Sequence, residues 1–178
     1  MEADMQFPDI AVMNIVMIYD LVNNTVLLQD RKTIWKGCAF PGGHLEIGES
    51  IYNSCIREVR EETGLTVSDL IPSGFVHWSM KNGEQEFIYF YRTSKFSGKL
   101  QHCDEGENKW VHVNELMNLQ LIDWFREQLP LFFTKQYTEL SFIYDQETDQ
   151  CIKCFHKAET VPDINNLPKF TEFPENNN

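Results

Sequence analysis

From Gly43 to Leu65 the chain reads GHLEIGESIYNSCIREVREETGL, and its chemistry is concentrated in Glu58, Glu61 and Glu62. These glutamates are related by three and four residues, a spacing that places them along one edge of a helix. Three carboxylates held that close repel one another unless cations neutralise them. Oxygen-only ligands favour magnesium, with manganese as the alternative. Magnesium keeps several waters and takes a few carboxylates together with substrate phosphate oxygens. The chemistry this suits is metal-assisted displacement at phosphorus, in which bound ions make hydroxide from water and steady charge on the attacking and leaving oxygens. An isolated acidic run beside Arg57 and Arg60 would ordinarily be a solvated helix face.

Glycines on either side argue against that bland reading. Phe40-Pro41-Gly42-Gly43 predicts a strand end followed by a turn whose backbone approaches a ligand closely, since glycine has no Cβ. Beyond it, Ile51, Cys55 and Val59 recur every fourth residue, with Tyr52 and Ile56 widening the apolar face. This predicts a helix over about 50–63, capped by Ser50 and ended by a left-handed Gly64. The helix should bury its apolar face on a sheet and carry the glutamates along the adjacent edge.

Read as fixed positions, the stretch is Gly43, five residues, Glu49, seven residues, then Arg57-Glu58-Val59-Arg60-Glu61-Glu62-Thr63-Gly64-Leu65. At ordinary residue usage such a coincidence has a probability on the order of 10^-9 at a given start position. The chain resembles the Nudix hydrolases, whose box this is, and within them the MutT-type nucleoside triphosphate pyrophosphohydrolases. The resemblance extends to Phe40-Pro41-Gly42-Gly43 and to Asp104-Glu105-Gly106-Glu107. It implies an α+β Nudix fold, an α/β/α sandwich with a mixed sheet between helices, where pattern alone says only α+β. It implies Mg2+, or Mn2+, held by the Gly42 carbonyl and by Glu58, Glu61 and Glu62, with Arg57 and Glu49 as an orienting ion pair. Glu105, in the loop before a strand, is the candidate to complete the metal shell or accept the water's proton; Asp104 and Glu107 compete for that role.

Along the chain, 10–21 reads as a buried strand and 25–29 as its hairpin partner across Asn23-Asn24. Residues 74–80 and 86–93 form a second hairpin across Asn82-Gly83, and 110–113 is a further strand. Leu121, Ile122, Phe125 and Leu129 predict a helix over 121–133 that covers the sheet's second face, with Pro130 set to end or kink it. Residues 139–144 and 150–156 read as a last hairpin. One Nudix domain over 1–157 is expected. Residues 158–178 hold three prolines and five asparagines and read as a disordered or loosely docked tail.

The 178 residues, 42 % of them hydrophobic and thirteen of them phenylalanine, suffice for one domain with a sizeable core. No apolar run reaches membrane-span length and no leader signal opens the chain, so a cytoplasmic protein with no membrane partner is expected. A net charge of -12 disfavours nonspecific nucleic-acid binding but leaves room for a small anionic nucleotide brought with its metal. Five scattered cysteines argue against a disulfide framework. Cys151-x-x-Cys154 with His156 lacks a second ligand pair for zinc.

The box does not specify the substrate. Relatives specific for ADP-ribose carry a proline shortly downstream of the box, and 79–87 holds none; the proline- and tryptophan-rich NADH signature is also absent. The resemblance therefore favours a nucleoside triphosphate, with 8-oxo-dGTP foremost, cut to monophosphate and pyrophosphate in nucleotide-pool sanitisation and hence DNA repair. The alternatives are a Nudix activity on ADP-ribose, a dinucleotide or capped RNA, and a sensing domain that binds without cleaving. Substrate-binding candidates are Arg31 for phosphate; Phe40 and His77, with Trp35, Phe75 and Trp78, around the base; Gly43 in the turn whose backbone approaches the ligand; and Asn118, or Gln120, for a base edge. The aromatic residues read equally as core.

Overall fold

The computed structural model describes residues 8–32, 35–134 and 137–156. The long first strand, β1 (Ile10–Asp20), pairs antiparallel with β2 (Thr25–Arg31) and parallel with β6 (Gln85–Thr93). β2 also pairs with β3 (Gly37–Ala39) and β8 (Gly106–His112), and β6 pairs with β5 (Ile71–Ser79). β9 (Glu139–Asp145) adds parallel to β5, and β10 (Gln150–His156) closes the far edge. The result is an eight-stranded mixed sheet, as expected from the resemblance. A separate two-stranded ribbon pairs β4 (Leu65–Ser68) with β7 (Lys95–Gly98). No helix is long and apolar enough to cross a membrane.

Strand alternation divides β1 between two cores. Val16 and Ile18 face α1 (Ile51–Thr63), where Cys55 and Val59 bury against them together with Leu27. Ile15 and Met17 face the opposite way, into a larger core shared with Phe40, Phe90 and the residues Phe125, Leu129 and Phe132 of α2 (Asp123–Phe133). Each fully buried aliphatic or aromatic side chain contributes about 1.5–3 kcal/mol of transfer free energy. The two helices therefore clamp the sheet from both sides, which is the predicted sandwich.

Four local features depart from the sequence reading. The ribbon of β4 and β7 and a 3-10 turn over Val113–Asn118 were not foreseen, because segments of four to six residues carry too few periods to register. α2 starts at Asp123, two residues later than expected, and runs through Pro130 to the expected end at Phe133. A proline one turn from a helix end removes only one bond, and here it is buried with Leu129 and Leu131. Tyr52, placed on the apolar face of α1, is 39 % exposed and meets Tyr91 edge-on. The tail expected over 158–178 lies outside the described residues, and so do 1–7 of the expected domain.

The caps of α1 match expectation. The Ser50 side chain accepts from the Asn53 N–H, and Gly64 is left-handed at φ 76°. A Cβ on Gly64 would come within 2.5 Å of the Gln101 side chain and 2.9 Å of the Lys99 carbonyl oxygen. Gly64→Ala should cost about 1–2 kcal/mol from the left-handed backbone alone, read as a lowered denaturation midpoint with unchanged m-value.

Candidate metal and phosphate site

One guanidinium organises the acidic edge of α1. Arg57 donates through Nε to Glu49 at 3.2 Å and through Nη2 to the other Glu49 oxygen at 2.7 Å, a two-point fork. Its Nη1 donates to Glu58 at 2.9 Å and to Glu61 at 3.1 Å, and Nη2 also reaches the His44 carbonyl at 2.9 Å. The Arg57 hydrogen bonds hold the Glu49 carboxyl down at about 2, and the Glu49 bonds raise the guanidinium's own pKa. Arg57 thus fixes Glu49, Glu58 and Glu61 relative to the loop at His44.

The three box glutamates are not equivalent. Glu61 is largely exposed, with 60 % of its side chain accessible, and Glu62 is buried at 6 %. One Glu62 oxygen accepts from the Gly42 N–H at 2.9 Å, yet burial pushes its carboxyl up to about 7. Burial also raises Glu58, against the lowering by Arg57. The Glu105 charge adds to the upward shift of both Glu58 and Glu62, so these carboxylates share one electrostatic neighbourhood. Excess negative charge in a partly desolvated place is what a bound cation relieves.

The glycine loop lies against these carboxylates. A Cβ on Gly43 would fall 2.5 Å from the Glu58 carboxylate, so only glycine lets the loop and that side chain meet. The backbone N–H groups of Val16 and Asn14 donate to the Pro41 and Gly43 carbonyls at 2.8 and 2.9 Å. The Gly42 carbonyl between them alternates to the other side and has no hydrogen-bond donor among the described residues. Among those residues no three His, Cys, Asp or Glu side chains already gather around one point; Glu58 and Glu61 are turned to Arg57. The donor set still fits a hard cation, being all oxygen, with one free carbonyl and raised carboxylates.

Behind the loop opens a cavity of about 430 Å³ on the α2 side of the sheet. Gly42, Phe40, Trp35, Trp78 and Arg31 line it, as several of the substrate candidates require. Phe40 is otherwise a core residue, 3 % exposed and edge-on to Phe125 and Phe132. Arg31 donates to Glu105 at 2.8 Å, so the candidate phosphate ligand and the candidate base are paired to each other.

Three of the expected substrate residues, His77, Phe75 and Asn118, do not line this cavity. His77 alternates with Trp78 on β5 and so faces away from the cavity; it stacks on Phe87 at 4.5 Å and bonds Gln85 at 2.7 Å. Phe75 shares that face and stacks on Tyr89. Asn118 ends the 3-10 turn and does not line the cavity. Cys151 and Cys154 are exposed free thiols, and His156 bonds Ser141 and approaches Glu139 instead.

The sequence reading missed Asn14, Glu86 and Trp124, which also line the cavity. Asn14 is 1 % exposed on β1, and its side-chain N–H group bonds the Gly43 carbonyl at 3.3 Å and Ser54 Oγ of α1 at 2.9 Å. It ties the glycine loop to the glutamate helix. The signal was present: an asparagine inside IAVMNIVMIYD breaks an otherwise apolar run.

Comparison with known proteins agrees with this geometry. The model of the NUDIX domain family matches residues 12–132. The chain is 32 % identical over 104 residues to the Nudix hydrolase YvcI of Bacillus subtilis (strain 168), covering 56 % of this chain and 65 % of that protein. It is 29 % identical over 136 residues to the oxidized purine nucleoside triphosphate hydrolase of Danio rerio, covering 73 % and 80 %. In three dimensions it is similar to the MutT protein of Bacillus halodurans, with a TM-score of 0.65 at 20 % identity over 82 % of this chain and 97 % of that one.

The opposed pKa shifts predict how the metal-free protein responds to pH. Glu49 is lowered in the fold, so it adds stability above pH 4.5 that is lost as pH falls toward about 2. Glu62 is raised, so its contribution is greatest below pH 4.5 and is lost as pH rises through about 7. Thermal melts in chelator should show a decline between pH 4.5 and 7 that flattens in Glu62→Gln, while the loss at lower pH persists.

Proposed function

The chain belongs to the NUDIX domain family and has a MutT-like fold, and from that premise we propose that it is a Mg2+-dependent hydrolase of nucleoside triphosphates, with 8-oxo-dGTP as the favoured substrate. The observation that carries this reading is the junction of an acidic, cation-fitting helix edge with an aromatic cavity through the free Gly42 carbonyl. The likeness to an oxidized purine nucleoside triphosphate hydrolase over 136 residues supports the choice of substrate.

Gly42, Glu58, Glu61 and Glu62 would hold the metal, which when bound neutralises phosphate charge and acidifies water. Arg57, through its fork to Glu49 and its bonds to Glu58 and Glu61, keeps the ligands on one edge. Arg31 lines the cavity and binds phosphate oxygens once it leaves Glu105. Glu105, half exposed, is then free to accept the proton of the attacking water. The water oxygen bonds to phosphorus, the bridging P–O bond breaks with its electron pair on the leaving phosphate oxygen, and the products are a monophosphate and pyrophosphate. The role is sanitisation of the nucleotide pool by a small-molecule enzyme.

The test is kcat/KM with Mg2+ for 8-oxo-dGTP, dGTP and ADP-ribose in parallel, with pyrophosphate scored against other products. Preference for 8-oxo-dGTP with pyrophosphate release is the expected result; preference for ADP-ribose would overturn the substrate, and no turnover of any would favour a sensing domain. Glu61→Gln and Glu62→Gln should each lower kcat by more than the roughly 10- to 100-fold that loss of an outer-shell metal partner costs. The fold should persist in both. Wild-type turnover in either variant would refute the metal assignment.

A further inference from the structure

β6 carries its core residues at every second position: Ile88 and Phe90 pack into the α2-side core. Glu86 occupies the preceding position of the same face. Alternation demands an apolar side chain there, and a carboxylate stands in its place. Its cross-strand neighbour is Trp78, and Met13 pairs with Ile88 one step further in; all four line the 430 Å³ cavity. Trp78 is held flat against Phe142, with ring centroids 3.9 Å apart, and Trp35 meets Trp124 edge-on on the opposite side. Glu86 is only partly accessible, and its carboxylate makes no hydrogen bond or ion pair among the described residues.

An unpaired carboxylate facing a largely apolar, aromatic-lined cavity, with His44 and Arg31 also on its wall, costs free energy in the protein alone. Burial accordingly raises its pKa, against a lowering influence from His44. A site that leaves such a group unpaired discriminates strongly for a ligand that satisfies it. The ionised carboxylate offers two oxygens, both acceptors. The complementary edge presents two adjacent N–H donors.

Resting on the triphosphate reading above, we infer that Glu86 is a specificity-determining residue whose carboxylate accepts from N1–H and the 2-amino group of a guanine-type purine. Adenine presents an acceptor at N1 beside its amino donor, and hypoxanthine lacks the 2-amino group, so each satisfies one oxygen at most. 8-Oxoguanine keeps both donors. Glu86 therefore selects guanine-type bases, oxidised or not, and any preference for the oxidised form arises at other residues of the cavity.

The experiment measures kcat/KM for dGTP, dITP and dATP in the wild type, Glu86→Gln and Glu86→Ala, with thermal melts of each. A charge-assisted bond to a buried group is worth about 10- to 100-fold, so the wild type should favour dGTP over dITP and dATP by that factor. Glu86→Gln places an N–H donor where an acceptor stood and should lower dGTP while raising dATP relative to it. Glu86→Ala should bring the three within a few-fold of one another. Folded variants that release pyrophosphate with the wild-type ratios would overturn the role of Glu86 and leave the triphosphate reading intact. If the wild type cleaves no triphosphate, that reading falls, and competition by dGMP and dIMP against the substrate it does cleave decides Glu86. Loss of the dGMP preference in Glu86→Gln supports the assignment; equal inhibition in the wild type overturns it.

Discussion

Arg57 is the positive charge around which the acidic edge of α1 is built. Glu49, Glu58 and Glu61 all bond it, and its contact with the His44 carbonyl anchors that array to the glycine loop. One arginine cannot balance all these carboxylates, and Glu62 and Glu105 lie within the same field. The protein alone therefore leaves a residual negative charge at a partly desolvated point. Geometry that would be a fault in a purely structural helix is what a hard cation needs, and the fold supplies rigid elements on either side to hold the charges in place.

The mixed sheet separates two tasks. On one face β1 buries Val16 and Ile18 under α1, which fixes the glutamate edge; on the other it buries Ile15 and Met17 under α2, and the aromatic cavity opens there. The loop at Gly42 and Gly43 crosses from one side to the other. Its N–H and carbonyl groups take part in both, with Gly42 N bonded to Glu62 and Gly42 itself lining the cavity. Asn14 sits where β1 meets that loop and bonds both the loop and α1. A substrate lying across the loop would present phosphates to the charged side and its base to the aromatic one, and a shift of either helix would misalign the two ends.

How much of this was legible in the sequence depends on the length of the signal. The α1 helix, its caps and the acidic edge carry several helical turns with glycine punctuation, and the structure reproduces them with Ser50 and Gly64 as caps. The long strands and the 82–83 hairpin were equally readable. The base side was harder, because a strand alternates faces and an aromatic residue gives no sign of which face it takes. His77 and Trp78 are adjacent in sequence and lie on opposite sides of β5; only the pairing with β6 decides between them. Glu86 was overlooked because it stands at the strand's start, where a polar residue looks like the end of an element rather than an exception inside one.

The overall acidity of the chain, at -12, then has a physical consequence for substrate entry. A free triphosphate approaching the site meets Glu58, Glu61, Glu62 and Glu105 against two guanidiniums, Arg31 and Arg57, both already paired to carboxylates. Repulsion disfavours the naked anion, whereas a triphosphate carrying its divalent ion arrives with much of that charge cancelled, and the ion is attracted by the same carboxylates. On the proposed function, the acidic site would thus select for the metal complex of the substrate. On the proposed triphosphate reading, Arg31 would exchange Glu105 for phosphate as that complex seats, which would couple arrival of the substrate to release of the carboxylate proposed to receive the proton.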